Sequence, residues 1–275
     1  MAAQPEITNM ALFCDFENVA LGVRDANYAQ FDIRKVLERL LLKGSIVVKK
    51  AYCDWDRYKE FKATMHEAAF ELIEIPHVRQ SGKNSADIRM VVDALDLCYT
   101  KAHVDTFVII SGDSDFSPLV SKLRENNKYV IGIGVKDSTS DLLSANCDEF
   151  IFYDDLVREQ EAKQKRAEKN APVKTAAGKT KLQTVKSEDD RRQEALDFIV
   201  ETVEALIAER GSDEKIWGSM VKTTMQRRKP GFTESSFGYR SFKELVEDAQ
   251  NRKLLLVVRD EKSGQYTIRF PVADH

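Results

Sequence analysis

Cysteine is scarce in this chain, with four in 275 residues, Cys14, Cys53, Cys98 and Cys147, and no C-x-x-C pair among them. Their separation argues against a disulfide framework or a zinc site, and their apolar surroundings mark them as reduced core thiols. Histidine is as sparse, and His66, His77, His103 and His275 form no ligand spacing. No apolar run approaches the ~18 residues a membrane span needs. The start, Met1-Ala-Ala-Gln-Pro-Glu, lacks the basic and apolar regions of a signal peptide, so a cytoplasmic location without membrane attachment is expected.

Positive charge is missing where it would be needed for a simple nucleic-acid clamp. Residues 1–155 carry 18 Lys+Arg against 25 Asp+Glu, a balance of −7. Residues 156–187 carry 9 against 3, and residues 188–275 carry 15 against 17. An acidic first half suits a site that collects cations. The basic middle can hold a phosphate backbone or serve as a solvated linker.

What is present is a regular alternation of strand-like and helix-like patterns. Short strand-like runs at 10–16, 45–53, 71–76, 106–110, 129–135 and 150–153 alternate with helical stripes at 31–42, 57–69, 87–99, 116–125 and 138–145. That alternation predicts an α/β domain with a parallel sheet flanked by helices, ending near residue 155. Residues 158–169 can continue as an exposed charged helix, and 171–186 reads as a flexible linker. Periodicity restarts at 190–208, 216–226 and 241–251, followed by strands at 254–259 and 265–270 around an Asp-Glu-Lys-Ser-Gly loop. Three helices and a hairpin predict a small winged-helix-like α+β domain. The expected division is 8–155, a 156–187 linker, and 188–270.

The chemistry is carried by aspartates at the ends of the apolar runs. Asp15 follows Met10-Ala-Leu-Phe-Cys, and Asp113 and Asp115 follow Thr106-Phe-Val-Ile-Ile-Ser-Gly. Asp87 opens a helical stretch after Ser81-Gly-Lys-Asn-Ser-Ala. Carboxylates at carboxyl strand ends point into the crevice where open α/β sheets bind ligands. Several converging there repel one another unless a cation sits between them. Each also has a plainer explanation: a turn for Asp15, a helix cap for Asp113 or Asp115, a first-turn acid for Asp87. Asn18 can tie the turn after Asp15 to the site. Lys83 can meet a phosphate oxygen or be a solvated loop lysine. Gly112 allows a tight turn. Asp54 can be a further carboxylate or a turn residue, Trp55 can stack on a base or pack, and Asp141 is a weaker candidate.

Ala11-Leu-Phe-Cys-Asp-Phe-Glu-Asn18, Asn84-Ser-Ala-Asp87 and Ser111-Gly-Asp-Ser-Asp-Phe116, in that order, resemble the NYN domain of the LabA-like group, within the PIN-like nuclease superfamily. The resemblance implies that Asp15, Asp87 and Asp113 hold Mg²⁺ or Mn²⁺ for RNA cleavage, with Asp115 a fourth carboxylate or the residue that positions water. Gln226-Arg-Arg-Lys-Pro-Gly-Phe-Thr-Glu-Ser-Ser-Phe-Gly-Tyr-Arg-Ser-Phe-Lys-Glu-Leu245 resembles the OST-HTH, or LOTUS, domain. That implies an RNA-binding or protein-binding module without catalysis of its own. Its basic cluster includes Lys222, Arg227, Arg228, Lys229 and Arg240, with Tyr239 nearby; basic plus aromatic residues suit single-stranded RNA, and a solvated surface is the plainer reading.

The expected function is a metal-dependent ribonuclease with an RNA- or partner-targeting appendage, and a homodimer is compatible with it. A non-catalytic RNA-binding regulator of the same fold is the main alternative. A phosphatase with an aspartyl nucleophile is a third; Asp15-Phe-Glu17 lacks the Asp-x-Asp pair of the commonest such enzymes.

Overall fold

The computed structural model describes residues 8–28, 30–75, 85–170, 188–211, 214–260 and 265–271, without the side chains of 162–170 and 188. The chain divides into two compact units, one within Ile7–Pro172 and the other within Val173–His275.

The first unit runs β1 (Asn9–Asp15), α1 (Phe16–Asp25), α2 (Ile33–Lys43), β2 (Ser45–Cys53), α3 (Lys59–Glu67), β3 (Glu71–Glu74), α4 (Ser85–Thr100), β4 (Thr106–Ile110), α5 (Ser117–Glu125), β5 (Tyr129–Gly134), α6 (Asp141–Asn146), β6 (Glu149–Phe152) and α7 (Tyr153–Asn170). The six strands form one parallel sheet in the order β3-β2-β1-β4-β5-β6, a PIN-like α/β fold. The central strands β1, β4 and β5 are apolar on both faces because helices cover both. Met10, Leu12, Cys14, Val108 and Ile110 face a core shared with α1, α2, α3 and α7. Ala11, Phe13, Phe107 and Ile109 face a second core with α4, α5 and α6. Strand alternation therefore carries Asp15, the next residue in the Ala11–Phe13 series, toward the side that holds α4 and α5.

One helix was absent from the sequence expectation. Phe16 does not extend β1; it starts α1, and Phe16, Val19 and Val23 form the buried stripe of that helix. Asn18 consequently lies in a first helical turn rather than a loop. The charged stretch after β6 is helical, as α7. The expected linker at 171–186, Pro76 and Lys83 lie outside the described residues. All four cysteines are free, three of them buried.

The second unit contains α8 (Glu188–Arg210), α9 (Gly218–Arg228), a 3₁₀ turn (Glu234–Phe237), α10 (Phe242–Asn251), and an antiparallel hairpin of β7 (Leu256–Arg259) and β8 (Tyr266–Arg269). A bridge between Trp217 and Thr267 joins the start of α9 to the hairpin. Its own core gathers Leu196, Ile199, Val203, Val221, Leu245 and Ile268. Gly238 adopts φ +81°, left-handed, where a side chain would be strained. Among the described residues, no helix is long and apolar enough to cross a membrane.

Candidate active site

In the sheet order, β1 pairs β2 on one side and β4 on the other, so the direction of winding reverses between β1 and β4. Open α/β sheets bind ligands at the carboxyl ends of strands at such a switch point. The register places Cys14 beside Ile110, so Asp15 and Ser111 leave the sheet side by side.

Asp15 caps α1, with Oδ1 accepting from the Asn18 N–H at 3.3 Å. Its Oδ2 accepts from the Ser111 hydroxyl at 3.0 Å. Ser111 Oγ in turn accepts from the Asp113 N–H at 3.2 Å. Asn18 Oδ1 accepts from the Gly112 N–H at 2.9 Å, which ties the first turn of α1 to the loop after β4. Asp113 caps the 3₁₀ turn Ser114–Phe116, accepting from the Asp115 N–H at 2.9 Å. The capping explanation therefore holds for Asp113 and leaves Asp115, which is exposed, without that duty. Asp87 sits in the first turn of α4 and is half-buried.

These carboxylates are electrostatically coupled. Burial, then the charges of Asp87 and Asp113, raise Asp15 to about 7; the bonds from Asn18 and Ser111 work in the opposite direction. Burial, then Asp113, Asp115 and Glu17, raise Asp87 to about 6. Three distant segments thus place Asp87 and Asp113 within electrostatic reach of Asp15, and Asp113 and Asp115 within reach of Asp87. Glu17 and Ser111 belong to the same arrangement and were missed as site residues. Glu17 stands in the first turn of α1, a helix the sequence pattern does not announce, and the bonding role of Ser111 depends on the β1–β4 register.

Hard oxygen donors of this kind suit Mg²⁺ or Mn²⁺ better than zinc. Among the described residues, no three His, Cys, Asp or Glu side chains stand close enough to hold one ion together. The expected three-aspartate core is not closed around a single point. The donors fit an ion that keeps several waters and takes one or two carboxylates plus a substrate phosphate, as Mg²⁺ commonly does.

Gly112 serves a different purpose from the expected tight turn. Its φ is not left-handed; a Cβ there would lie 2.5 Å from the Ser138 carbonyl oxygen and 3.0 Å from Thr139 Cα. Asp54 accepts from the Asp56 N–H at 3.1 Å, the geometry of a turn residue. Trp55 is 1% exposed, packs on Phe16 and donates from Nε1 to the Ile73 carbonyl, so packing, not base stacking, is its role. Asp141 occupies the first turn of α6 behind the Ser140 cap.

The basic cluster lies on the second unit and is partly engaged there. Arg228 bonds Glu201 Oε1 at 2.7 Å and Thr202 Oγ1 at 3.1 Å. Lys229 pairs with Glu194 at 3.2 Å and lies over the Phe198 and Phe237 rings. Arg227 is half-buried, and its Nε has no hydrogen-bond partner among the described residues.

Among known proteins, the chain is 26% identical over 163 residues to an uncharacterized protein of Methanocaldococcus jannaschii, covering 59% of this chain and 63% of that one. It is 25% identical over 154 residues to meiosis regulator and mRNA stability factor 1 of Xenopus tropicalis, covering 56% of this chain and 9% of that one. The chain thus spans less than two thirds of the length of either relative. A solved structure of a Vibrio parahaemolyticus protein of unknown function aligns with a TM-score of 0.50 and 27% identity, over 56% of this chain and 98% of that chain. The family model for the NYN domain matches residues 9–154, the span of the sheet and its acidic crevice, and the chain belongs to the NYN domain family.

Proposed function

We propose that the first unit is a divalent-metal-dependent ribonuclease, and that the second is an OST-HTH/LOTUS-like module giving it an RNA or protein address. The observation that carries this is the convergence of Asp15, Asp87, Asp113 and Asp115 at the β1–β4 switch point, with two of them pushed up toward neutrality. Carboxylates that raise one another's pKa in this way favour a cation among them. When bound, Mg²⁺ or Mn²⁺ would lower the pKa of a water and offset charge on the scissile phosphate.

The chain's own groups do the placing. Ser111 holds Asp15 by its Oδ2, Asn18 fixes the Gly112 amide, and Asp113 and Asp115 extend from one short turn. Asp15, Asp87 and Asp113 would serve as metal ligands, with Asp115 ordering the attacking water. Lys83 would meet a phosphate oxygen. Because residues 1–155 are acidic overall, most RNA affinity would come from elsewhere. Within the second unit, Arg227 and Lys229 are the better phosphate contacts, since Arg228 is committed to Glu201 and Thr202.

The test is incubation of the full chain with single-stranded and structured RNAs in Mg²⁺, Mn²⁺ or chelator, beside Asp113→Asn. Cleavage that needs the metal and is lost in the variant supports the proposal. RNA binding with no cleavage in any metal would favour the non-catalytic regulator.

A further inference from the structure

Beside the acidic crevice lies a groove of about 720 Å³, within the ~300–1,000 Å³ range of ligand pockets. Asp87 and Asp115 belong to both. Its apolar wall comes from Ile88, Val91 and Val92 on α4, Pro118 on α5 and Leu142 on α6, and Ser114 and Ser117 also line it. Ile88, Val92 and Leu142 are 63%, 56% and 59% exposed, a large apolar display on helices whose other faces close the core. Ile88 and Val92 are one helical turn apart, so they present a single face. Ser121 and Asn146 add further hydrogen-bonding groups to the lining.

We infer that this groove seats an unstacked nucleobase of single-stranded RNA, next to the nucleotide whose phosphate occupies the acidic crevice. The inference deepens the ribonuclease proposal and rests on it. Among the described lining residues there is no Lys or Arg, so the groove has nothing to pair with a phosphate. An apolar slot with a few polar groups matches the faces and edges of a base, and bases are available in this way only when unpaired. A protein docked across the groove would close over the Asp87 and Asp115 carboxylates, which is costly unless it brings cations of its own. A single strand instead leaves the crevice open to its own phosphate and counterion.

The experiment uses the full chain and a single-stranded RNA carrying 4-thiouridine at successive positions. With Asp113→Asn in Mn²⁺, irradiation should give crosslinks to peptides of α4 and α6. In the otherwise unaltered protein, Leu142→Asp and Val92→Asp, both at exposed positions, should raise KM for single-stranded RNA about tenfold with kcat nearly unchanged. A ribose lacking its base beside the cleaved bond should have the same effect. Crosslinks confined to the second unit, or an unaltered KM in both variants, would overturn the inference. So would Leu142→Asp converting a dimer to a monomer without groove crosslinks, which would assign the face to a second copy of the chain. Groove crosslinks in a protein that never cleaves RNA would instead sink the ribonuclease reading and leave the base seat standing.

Discussion

Ser111 and Asp15, 96 residues apart, are joined by a 3.0 Å hydrogen bond at the point where β1 and β4 leave the sheet. The same hydroxyl accepts from the Asp113 N–H, so one fully buried serine organises two acidic segments. Ser111→Ala removes a donor from a buried carboxylate and an acceptor from an amide. The expected cost is about 1–3 kcal/mol at neutral pH. Losing the donor also drives the Asp15 carboxyl higher still, so the variant should lose less stability at pH 5 than at pH 8. Urea unfolding at the two pH values checks both.

The raised carboxyls at Asp15 and Asp87 set the sign of a pH dependence. Both bind protons more tightly in the fold, at about 7 and about 6, than at their ordinary 3.8. Their contribution to stability is therefore fully present below about pH 4 and is lost as pH rises through 6 and 7. In chelator, Asp87→Asn should be relatively more stable than the unaltered protein at pH 8 and show little difference at pH 4. Denaturant midpoints across that range measure it, and a wild-type advantage at pH 8 in chelator would contradict it.

Divalent cation should act through the same groups in the opposite direction. An ion that binds only the folded, deprotonated site stabilises it by mass action. Mg²⁺ or Mn²⁺ should thus raise the melting temperature of the first unit at pH 8 and have little effect at pH 5. Asp15→Asn or Asp87→Asn should abolish the rise. Thermal melts with and without metal decide the matter.

Much of this arrangement was legible because period and burial agree. Ser45–Cys53 and Thr106–Ile110 are strands over the residues expected, since short runs rich in β-branched and apolar residues, bounded by turn-forming residues, favour strand. The carboxylates at strand ends were legible for the same reason. Helix α1 was not, because Phe16-Glu-Asn directly continues an apolar run and its Phe16, Val19, Val23 stripe begins inside what reads as strand. Trp55 was ambiguous in sequence and is settled by the aromatic cluster around Phe16, a tertiary fact. The pairing of Arg228 and Lys229 with Glu201 and Glu194 was equally invisible. It depends on α9 packing beside α8, roughly thirty residues away in sequence.

Gly112 is held by its neighbours rather than by its own backbone preference. A methyl there would press on the Ser138 carbonyl at 2.5 Å, backbone that cannot swing away like a flexible side chain. The Ser140 N–H also donates to the Gly112 carbonyl at 2.9 Å, fixing the two loops together. Gly112→Ala should cost about 1–3 kcal/mol through overpacking. It should also displace Asp113, so metal affinity falls even where the fold persists. Urea unfolding together with metal titration separates the two effects.

In the second unit, Arg228 distinguishes structural from ligand-binding charge. Its side chain is 11% exposed, and its two terminal nitrogens are spent on Glu201 and the fully buried Thr202. Arg228→Met keeps most of the apolar stem, removes the ion pair and leaves Glu201 to rehydrate, because that carboxylate is 47% exposed. The expected cost is about 1 kcal/mol, seen as a lower melting temperature of this unit. Lys229→Met, nearer the surface, should instead weaken RNA binding across sequences and lower its salt dependence by about one phosphate contact. Equal loss of salt dependence in both variants, with unchanged melting in Arg228→Met, would place Arg228 on the RNA instead of in the scaffold.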